Sequence, residues 1–302
     1  MSATVLITGA STGFGRDTAE RLARRGHRVF ATMRDIAGRN AANRMALLRT
    51  AHDEKLWLRV LELDVTRDES VQRAIDAALR EAGHLDVVIN NAGRAGIGVS
   101  EGYTPAQFQE IFDVNVIGPV RVNRAVLPAM RARGSGLLVH ISSAAGRVAV
   151  PAMAAYCASK FALEAIADAL RFELLPLGID SVLVEPGIYR TPLFEHIIAP
   201  ADPARVASYG DAAGYAQRVR DTFMSAIHAD GAAGSEEVAE ALVRLVEMEP
   251  ADRPFRTVVS APIQPLLASY NAAAEGLRPV VAQIFNVAEL AGTIASPAAV
   301  IT

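Results

Sequence analysis

A doubly wound α/β fold in a single domain, built on about seven mostly parallel strands, is the architecture this chain of 302 residues predicts. Two observations predict it. Short runs rich in Val, Ile and Leu alternate with helix-like stretches from the first residues to about residue 260, and several are unbroken, as strands buried on both faces of a parallel sheet are. A glycine-rich turn, Thr8-Gly9-Ala10-Ser11-Thr12-Gly13-Phe14-Gly15, joins the first run to the first helix-like stretch. Sheets of this kind bind ligands at the carboxyl ends of their strands.

The elements follow in order. Strands are predicted over Thr4–Thr8, Arg28–Thr32, Trp57–Leu63, Asp86–Asn90, Gly136–Ser142, Ile179–Glu185 and Arg256–Ser260. Helices are predicted over Gly13–Arg25, Asn40–His52, Glu69–Ala82, Pro105–Arg133, Met153–Leu177 and Ser235–Glu249. Strand–helix alternation of this kind gives a Rossmann-type sheet covered on both faces. Residues 188–234 break the pattern and are rich in Ala, Gly and Pro, and residues 262–302 form a second irregular region. Both are read as additions to one domain spanning 1–302, the first a substrate lid and the second a C-terminal extension. Neither is long enough to bury a good core alone.

The composition bounds the function. Hydrophobic residues make up 51% and charged residues 21%, as in a soluble globular protein with a large core. A formal net charge of −3 offers no basic surface for nucleic acid. The single cysteine, Cys157, excludes an internal disulfide and fits a reducing, cytoplasmic setting. The opening Thr4-Val5-Leu6-Ile7-Thr8 lacks the basic stretch and long apolar run of a signal peptide, and no run approaches the ~20 residues of a membrane span. No metal site is expected.

At the cofactor end, glycines permit a tight turn and let the backbone approach a pyrophosphate, which the free N–H groups of the following helix attract. Alone, such a turn could be an ordinary loop; after the first strand of an alternating chain it points to a dinucleotide. In NAD-binding sheets an acid near the end of the second strand holds the adenosine ribose. Here the strand ends Thr32-Met33-Arg34. No carboxylate repels a 2′-phosphate, and the Arg34 guanidinium can grip one, so NADP(H) is the expected cofactor.

At the catalytic end, Tyr156 and Lys160 stand four apart on a helix, where side chains converge. A phenol titrates near ~10 and needs help to exchange protons at neutrality; an ammonium nearby favours the phenolate. Composition argues that the lysine is specific. The chain has 28 arginines and only two lysines, Lys55 and Lys160. A compact ammonium reaches ribose hydroxyls in a way that a forked guanidinium does not. Ser142-Ser143 ends the fifth strand, where a hydroxyl can donate to a substrate oxygen.

Together these residues resemble the short-chain dehydrogenase/reductase superfamily over residues 1 to about 260. The motifs are Thr8 through Gly15, Leu63-Asp64-Val65, Asn90-Asn91-Ala92-Gly93, Asn115, Ser143, Tyr156-xxx-Lys160 and Pro186-Gly187. The stretches at Val29–Asp35, Phe112–Gly118 and Tyr156–Glu164 look most like the 17β-hydroxysteroid and retinol dehydrogenase branch. The resemblance implies roles. Gly9, Gly13 and Gly15, with Phe14 between them, would line the pyrophosphate turn. Ser11, Thr12 and Arg34 would face the 2′-phosphate. Asp64 and Val65 would hold the adenine, and Asn90, Asn91, Ala92 and Gly93 would support the central strand beside the ribose. Tyr156 would be the acid/base, Lys160 would bind the nicotinamide ribose, Ser143 would hold the substrate oxygen and Asn115 would anchor a water in a proton relay. Pro186, Gly187, Ile188 and Thr191 would cradle the nicotinamide.

Two other readings compete. A nucleotide-sugar epimerase or dehydratase shares Tyr-xxx-Lys but has a Thr-Gly-xx-Gly-xx-Gly turn, unlike this one. A cofactor-sensing regulator on the same fold typically loses part of the catalytic set, which is complete here. The sequence therefore predicts an NADP(H)-dependent alcohol dehydrogenase or carbonyl reductase. A homodimer or homotetramer is expected, paired through helices 105–133 and 153–177 with Phe161, Leu163, Ile166, Leu170 and Phe172 on their apolar faces. The lid is expected to close from hinges at 212–214 and 231–234. Its lining would be Ile188, Leu193, Phe194, Ile197, Ile198, Phe223 and Met224, facing Val148, Val150 and Met153, with Arg190, Arg205, Arg218 and Arg220 on its surface.

Overall fold

All seven apolar runs form strands in the computed structural model, which describes residues 2–229 and 232–291. They are β1 (Thr4–Ile7), β2 (Arg28–Met33), β3 (Leu58–Glu62), β4 (Val87–Asn90), β5 (Gly136–Ile141), β6 (Ile179–Pro186) and β7 (Arg256–Val259). They pair in parallel in the order β3-β2-β1-β4-β5-β6-β7. The order reverses between β1 and β4, where Val5 pairs with Val29 on one side and Val87 on the other. This switch point opens a crevice at the carboxyl edge.

Helices cover both faces. On one, α1 (Gly13–Arg24), α2 (Ala41–Asp53) and a later helix over Glu236–Glu247 bury Leu22, Leu47 and Leu242 against Val5, Val29 and Val182. On the other, α3 (Asp68–Ala82) buries Val71 and Ile75 against Leu6, Val88 and Leu138. The expected helix over 105–133 is in three parts. They are α4 (Pro105–Phe112), one π-helical turn at Asp113–Ile117, and α5 (Gly118–Arg133). Pro119 has no N–H to aim at the Asn115 carbonyl one turn earlier, which is where an α-helix would need it. The helix α6 (Ala154–Leu174) follows.

The two regions read as irregular are largely helical, which corrects that expectation. Residues 188–229 contain α7 (Pro203–Ser208) and α8 (Gly214–His228), after which α9 is the Glu236–Glu247 helix. Beyond β7 come α10 (Gln264–Glu275), α11 (Arg278–Ile284) and α12 (Ala288–Ala291). Gly231 of the expected hinge, and residues 292–302 of the extension, lie outside the described residues.

The C-terminal arm buries Leu267 and Ala282 and is pinned further by charge. Arg278 is ion-paired to Asp168 at 3.0 Å, and its guanidinium lies over Phe172 and Phe255. Arg256 reaches Glu275 at 3.2 Å. Asn271 donates to Glu185 at 2.7 Å and accepts from Arg147 at 2.8 Å. The arm therefore covers part of the α6 face expected to pair across a two-fold axis. Leu163 is buried, Leu170 packs inside the core, and Phe161 alone of that set is exposed.

Candidate active site

The turn after β1 is shaped by contacts that forbid side chains. Gly9 has φ +67°, and a Cβ there would lie 2.8 Å from the Ala92 Cα. A Cβ on Gly15 would meet the Gly9 carbonyl at 2.6 Å. From the next strand end, Asn91 donates its side-chain amide to the carbonyls of Thr8 at 2.8 Å and Gly9 at 3.0 Å. The Thr8 hydroxyl accepts from the N–H groups of Asn91 and Ala92. Helix α1 carries no acid in its first turn and no side-chain cap on its N-terminus. That leaves backbone N–H groups facing a cavity of about 1210 Å3 lined by Gly9, Ser11, Thr12, Gly13 and Phe14. An anion fits there.

One end of this cavity is basic. Arg34 lines it, together with Arg39, which the sequence reading missed. Burial lowers the Arg34 pKa, and the like charge of Arg39 pushes the same way. Two guanidiniums repelling each other at one end of a groove form a site that an anion relieves. The carboxylate nearest in sequence, Asp35, accepts the N–H of Arg39 at 3.0 Å within its own turn and is not part of the lining. Asp64 lines the groove beside Val65. Burial works to raise its pKa, but two hydrogen bonds from Thr66, with Arg34 and Arg67 nearby, hold it below the usual range.

At the other end the predicted set converges. Ser143, Tyr156 and Lys160 line the same cavity as the glycine turn. Lys160, one helical turn beyond Tyr156, donates to the Ile141 carbonyl at 2.7 Å and has its Nζ 5.8 Å from the phenol ring centre. Asn115 sits in the π-helical turn and is buried. It donates to the Arg94 carbonyl at 2.9 Å and to the Ser159 hydroxyl at 2.9 Å, and accepts from the Arg94 N–H at 2.8 Å. Ser159 in turn donates to the Tyr156 carbonyl at 2.7 Å. Ser159 thus ties Asn115 to the catalytic helix, a role missed in the sequence although it lies inside the Tyr156–Lys160 motif. Gly93 lies beside Asn115 and Lys160: a Cβ there would be in ordinary contact, 3.6 Å and 3.9 Å from their side-chain polar atoms.

Burial dominates the titration of this group. It pushes the Tyr156 phenol up to about 12, against the opposing pull of the Ser143 hydrogen bond. Burial also brings Lys160 down to about 8, with Glu164 opposing. The expected lowering of the phenol by the ammonium is not seen; Ser143 supplies the lowering influence, and burial exceeds it. The Ser143 hydroxyl accepts the Ala145 N–H at 3.1 Å, which orients it at the end of β5.

The remaining lining comes from residues 186–196, α8 and the segment after β7. Pro186, Gly187, Ile188 and Thr191 line the cavity as expected. So do Leu193, Phe194 and Phe223, and the last two rings stack at 4.9 Å. Val150 and Met153 face them, whereas Val148 is exposed and outside the lining, contrary to expectation. Ile197, Ile198 and Met224 also lie outside it. Ile198 bridges to Gly96 and its carbonyl accepts the Tyr103 hydroxyl at 2.7 Å. His196, Glu237 and the stretch Ser260–Ile263 line the cavity without having been expected to. Arg190, Arg205, Arg218 and Arg220 do not reach it. Among the described residues no group of His, Cys, Asp and Glu could hold a metal ion, and no helix is long and apolar enough to cross a membrane.

Residues 3–201 match the family model described as short chain dehydrogenase. The chain is 41% identical over 189 residues to retinol dehydrogenase 8 from Bos taurus. That match covers 61% of this chain and 58% of that protein, so the chain spans less than two thirds of this relative's length. A short-chain dehydrogenase structure from Streptomyces avermitilis superposes with a TM-score of 0.72 at 30% identity, covering 92% of this chain and 96% of that one. A variant of actinorhodin polyketide ketoreductase, solved with NADPH, gives a TM-score of 0.69 at 29% identity, covering 85% of this chain and 95% of that one.

Proposed function

The chain belongs to the short chain dehydrogenase family of oxidoreductases, and we propose that it is an NADP(H)-dependent carbonyl reductase or alcohol dehydrogenase acting on a lipophilic substrate. One observation carries this reading. A single groove has paired guanidiniums at one end, an anion-ready turn in the middle, and Ser143, Tyr156 and Lys160 at an apolar far end.

The residues present suit the cofactor. The Gly9 and Gly15 contacts keep the turn bare, the α1 N-terminus receives the pyrophosphate, and Arg34 with Arg39 holds the 2′-phosphate. When bound, the nicotinamide supplies or accepts the hydride. The chain's own residues handle the proton and the oxygen. Ser143 donates a hydrogen bond to the substrate oxygen. In reduction, Tyr156 gives its phenolic proton to that oxygen as the C–O double bond becomes single; in oxidation it takes it back. A phenol held protonated up to about 12 is ready as the proton donor that the reduction step needs. Lys160 stabilises the phenolate left behind and has two further N–H donors for ribose hydroxyls. Asn115 and Ser159 fix the helix that carries both.

Substrate choice falls to the roof. Leu193, Phe194, Phe223, Val150 and Met153 offer burial and few polar groups, at roughly 25 cal/mol per Å2 of apolar surface. We assign residues 188–229 as a lid over this end. The relative named for retinol agrees with a lipophilic ligand. The test is a panel of steroids, retinoids, medium-chain ketones and aromatic ketones, followed by NADPH and NADH absorbance. Turnover of lipophilic ketones with NADPH preferred supports the reading. Equal efficiency with both cofactors, or preference for small charged keto acids, contradicts it.

A further inference from the structure

The C-terminal arm is built inside out. Along α10 and α11 both charged residues and Asn271 point inward: Asn271 to Glu185 and Arg147, Glu275 to Arg256, and Arg278 to Asp168. Large apolar side chains point outward instead. Leu266 is 79% exposed, Leu277 62%, Ile284 71% and Phe285 72%, with Tyr270 and Val280 exposed between them. A surface helix that ends at the water shows the opposite pattern.

The outward residues are also spaced for a partner. Leu266, Tyr270, Ala273, Leu277, Val280 and Ile284 recur at intervals of four, three, four, three and four. That alternation is the seam of a helix packed on another helix, with apolar side chains every 3.5 residues on average. Gly276 and Leu277 keep helical backbone angles between α10 and α11, so the seam continues across the junction.

We propose that this seam is the contact through which two copies of the chain associate about a two-fold axis. Three features select a second copy. The exposed large side chains of the arm total on the order of 800 Å2, the area one partner contributes to a stable interface of standard size. The outer face from Pro262 to Ala288 carries no outward charge, because Glu275 and Arg278, the only Asp, Glu, Lys, Arg or His residues in it, are turned in. A self-complementary contact therefore brings no like charges together. For the same reason the face lacks the lysines and arginines by which amphipathic helices are drawn to anionic lipid. The α6 face, the alternative, is already partly covered by this same arm.

The test is sedimentation equilibrium of the full chain across the micromolar range, with two variants. The unmodified chain should be a dimer. Leu277→Glu combined with Ile284→Glu should weaken dimerisation by at least ~100-fold, as loss of central apolar contacts does. Phe161→Glu, on the exposed part of α6, should leave it unchanged. Melting temperature and circular dichroism check that each variant folds, and Leu266→Glu at the other end of the seam serves if the double variant does not. A monomeric unmodified chain overturns the proposal. So does a dimer broken by Phe161→Glu and not by the seam variants. A monomer that floats with phosphatidylcholine vesicles would assign the seam to a lipid surface. A chain ending at Ala291 that dimerises when the full chain does not would assign it to residues 292–302. Either result also overturns the proposal.

Discussion

Around the glycine turn the backbone is held from several sides, by the Asn91 amide, the Thr8 hydroxyl and the close approach of Ala92. The roof at the opposite end is held differently. Residues 198–209 are tied to the body by polar contacts, from Tyr103 to the Ile198 carbonyl, Gln107 to Ala199 and Glu101 to Arg205. The parts that face the cavity, around Phe194 and Phe223, are packed mainly through apolar side chains, with these two rings stacked on each other. Hydride and proton transfer need a frame with fixed geometry. Selecting a lipophilic substrate needs burial, which is non-directional and tolerates movement.

The largest effect expected from breaking the fixed frame is at its reacting atom. Tyr156→Phe keeps the ring and its packing and removes the transferable proton. Turnover should fall by ~10^2–10^4-fold while NADPH still binds, read by steady-state kinetics beside fluorescence titration. A variant that retains more than a tenth of its activity would place the acid/base elsewhere.

The frame can next be broken at the turn. Gly9→Val puts a side chain into Ala92 at a positive φ. NADPH affinity should drop more than ~10-fold by calorimetry, with no matching change for Val148→Ala on the exposed surface. Smaller still is the effect at the basic end. Arg34→Ala should cut the NADPH-over-NADH preference by ~10–100-fold, the worth of about 1–3 kcal/mol of charge-assisted bonding, and Arg39→Ala by less. An unchanged ratio of kcat/KM in both variants would remove the 2′-phosphate assignment.

Lys160 gives a pH test. Its folded pKa is about 8, below that of an ordinary lysine, so the free protein loses the ammonium as pH rises through 8. Cofactor binding favours the charged form, so NADPH affinity should be flat below pH 8 and weaken above it, by at most ~10-fold per unit. Lys160→Met should bind more weakly at pH 7 and show no such slope. A slope that survives the substitution would belong to another group.

Much of this was legible in the sequence because the physics is local. Several strands are continuous apolar runs, and the turn motif needs its glycines where Ala92 and Asn91 approach. The Tyr156–Lys160 pair follows from helical spacing. What was not legible depends on distant contacts. Arg39 acts beside Arg34 only because the turn at Asp35 folds it back. Ser159 matters only because the π-helical turn aims Asn115 at it. Helices α8, α10 and α11 start without a side-chain cap, so no capping residue marks where they begin. The arm also reverses the usual pattern, so its charges read as surface while they are buried pairs.

We propose that a fixed cofactor frame works beneath a roof that moves. Hydrogen exchange, measured on the protein alone, with NADPH, and with NADPH and a bulky unreactive ketone analogue, tests it most directly. Slow exchange is expected throughout in β1, β4 and β5, with new protection on adding the analogue concentrated in residues 188–197 and 214–228. Equal protection of the roof in all three states, or protection spread evenly over the sheet, would contradict it.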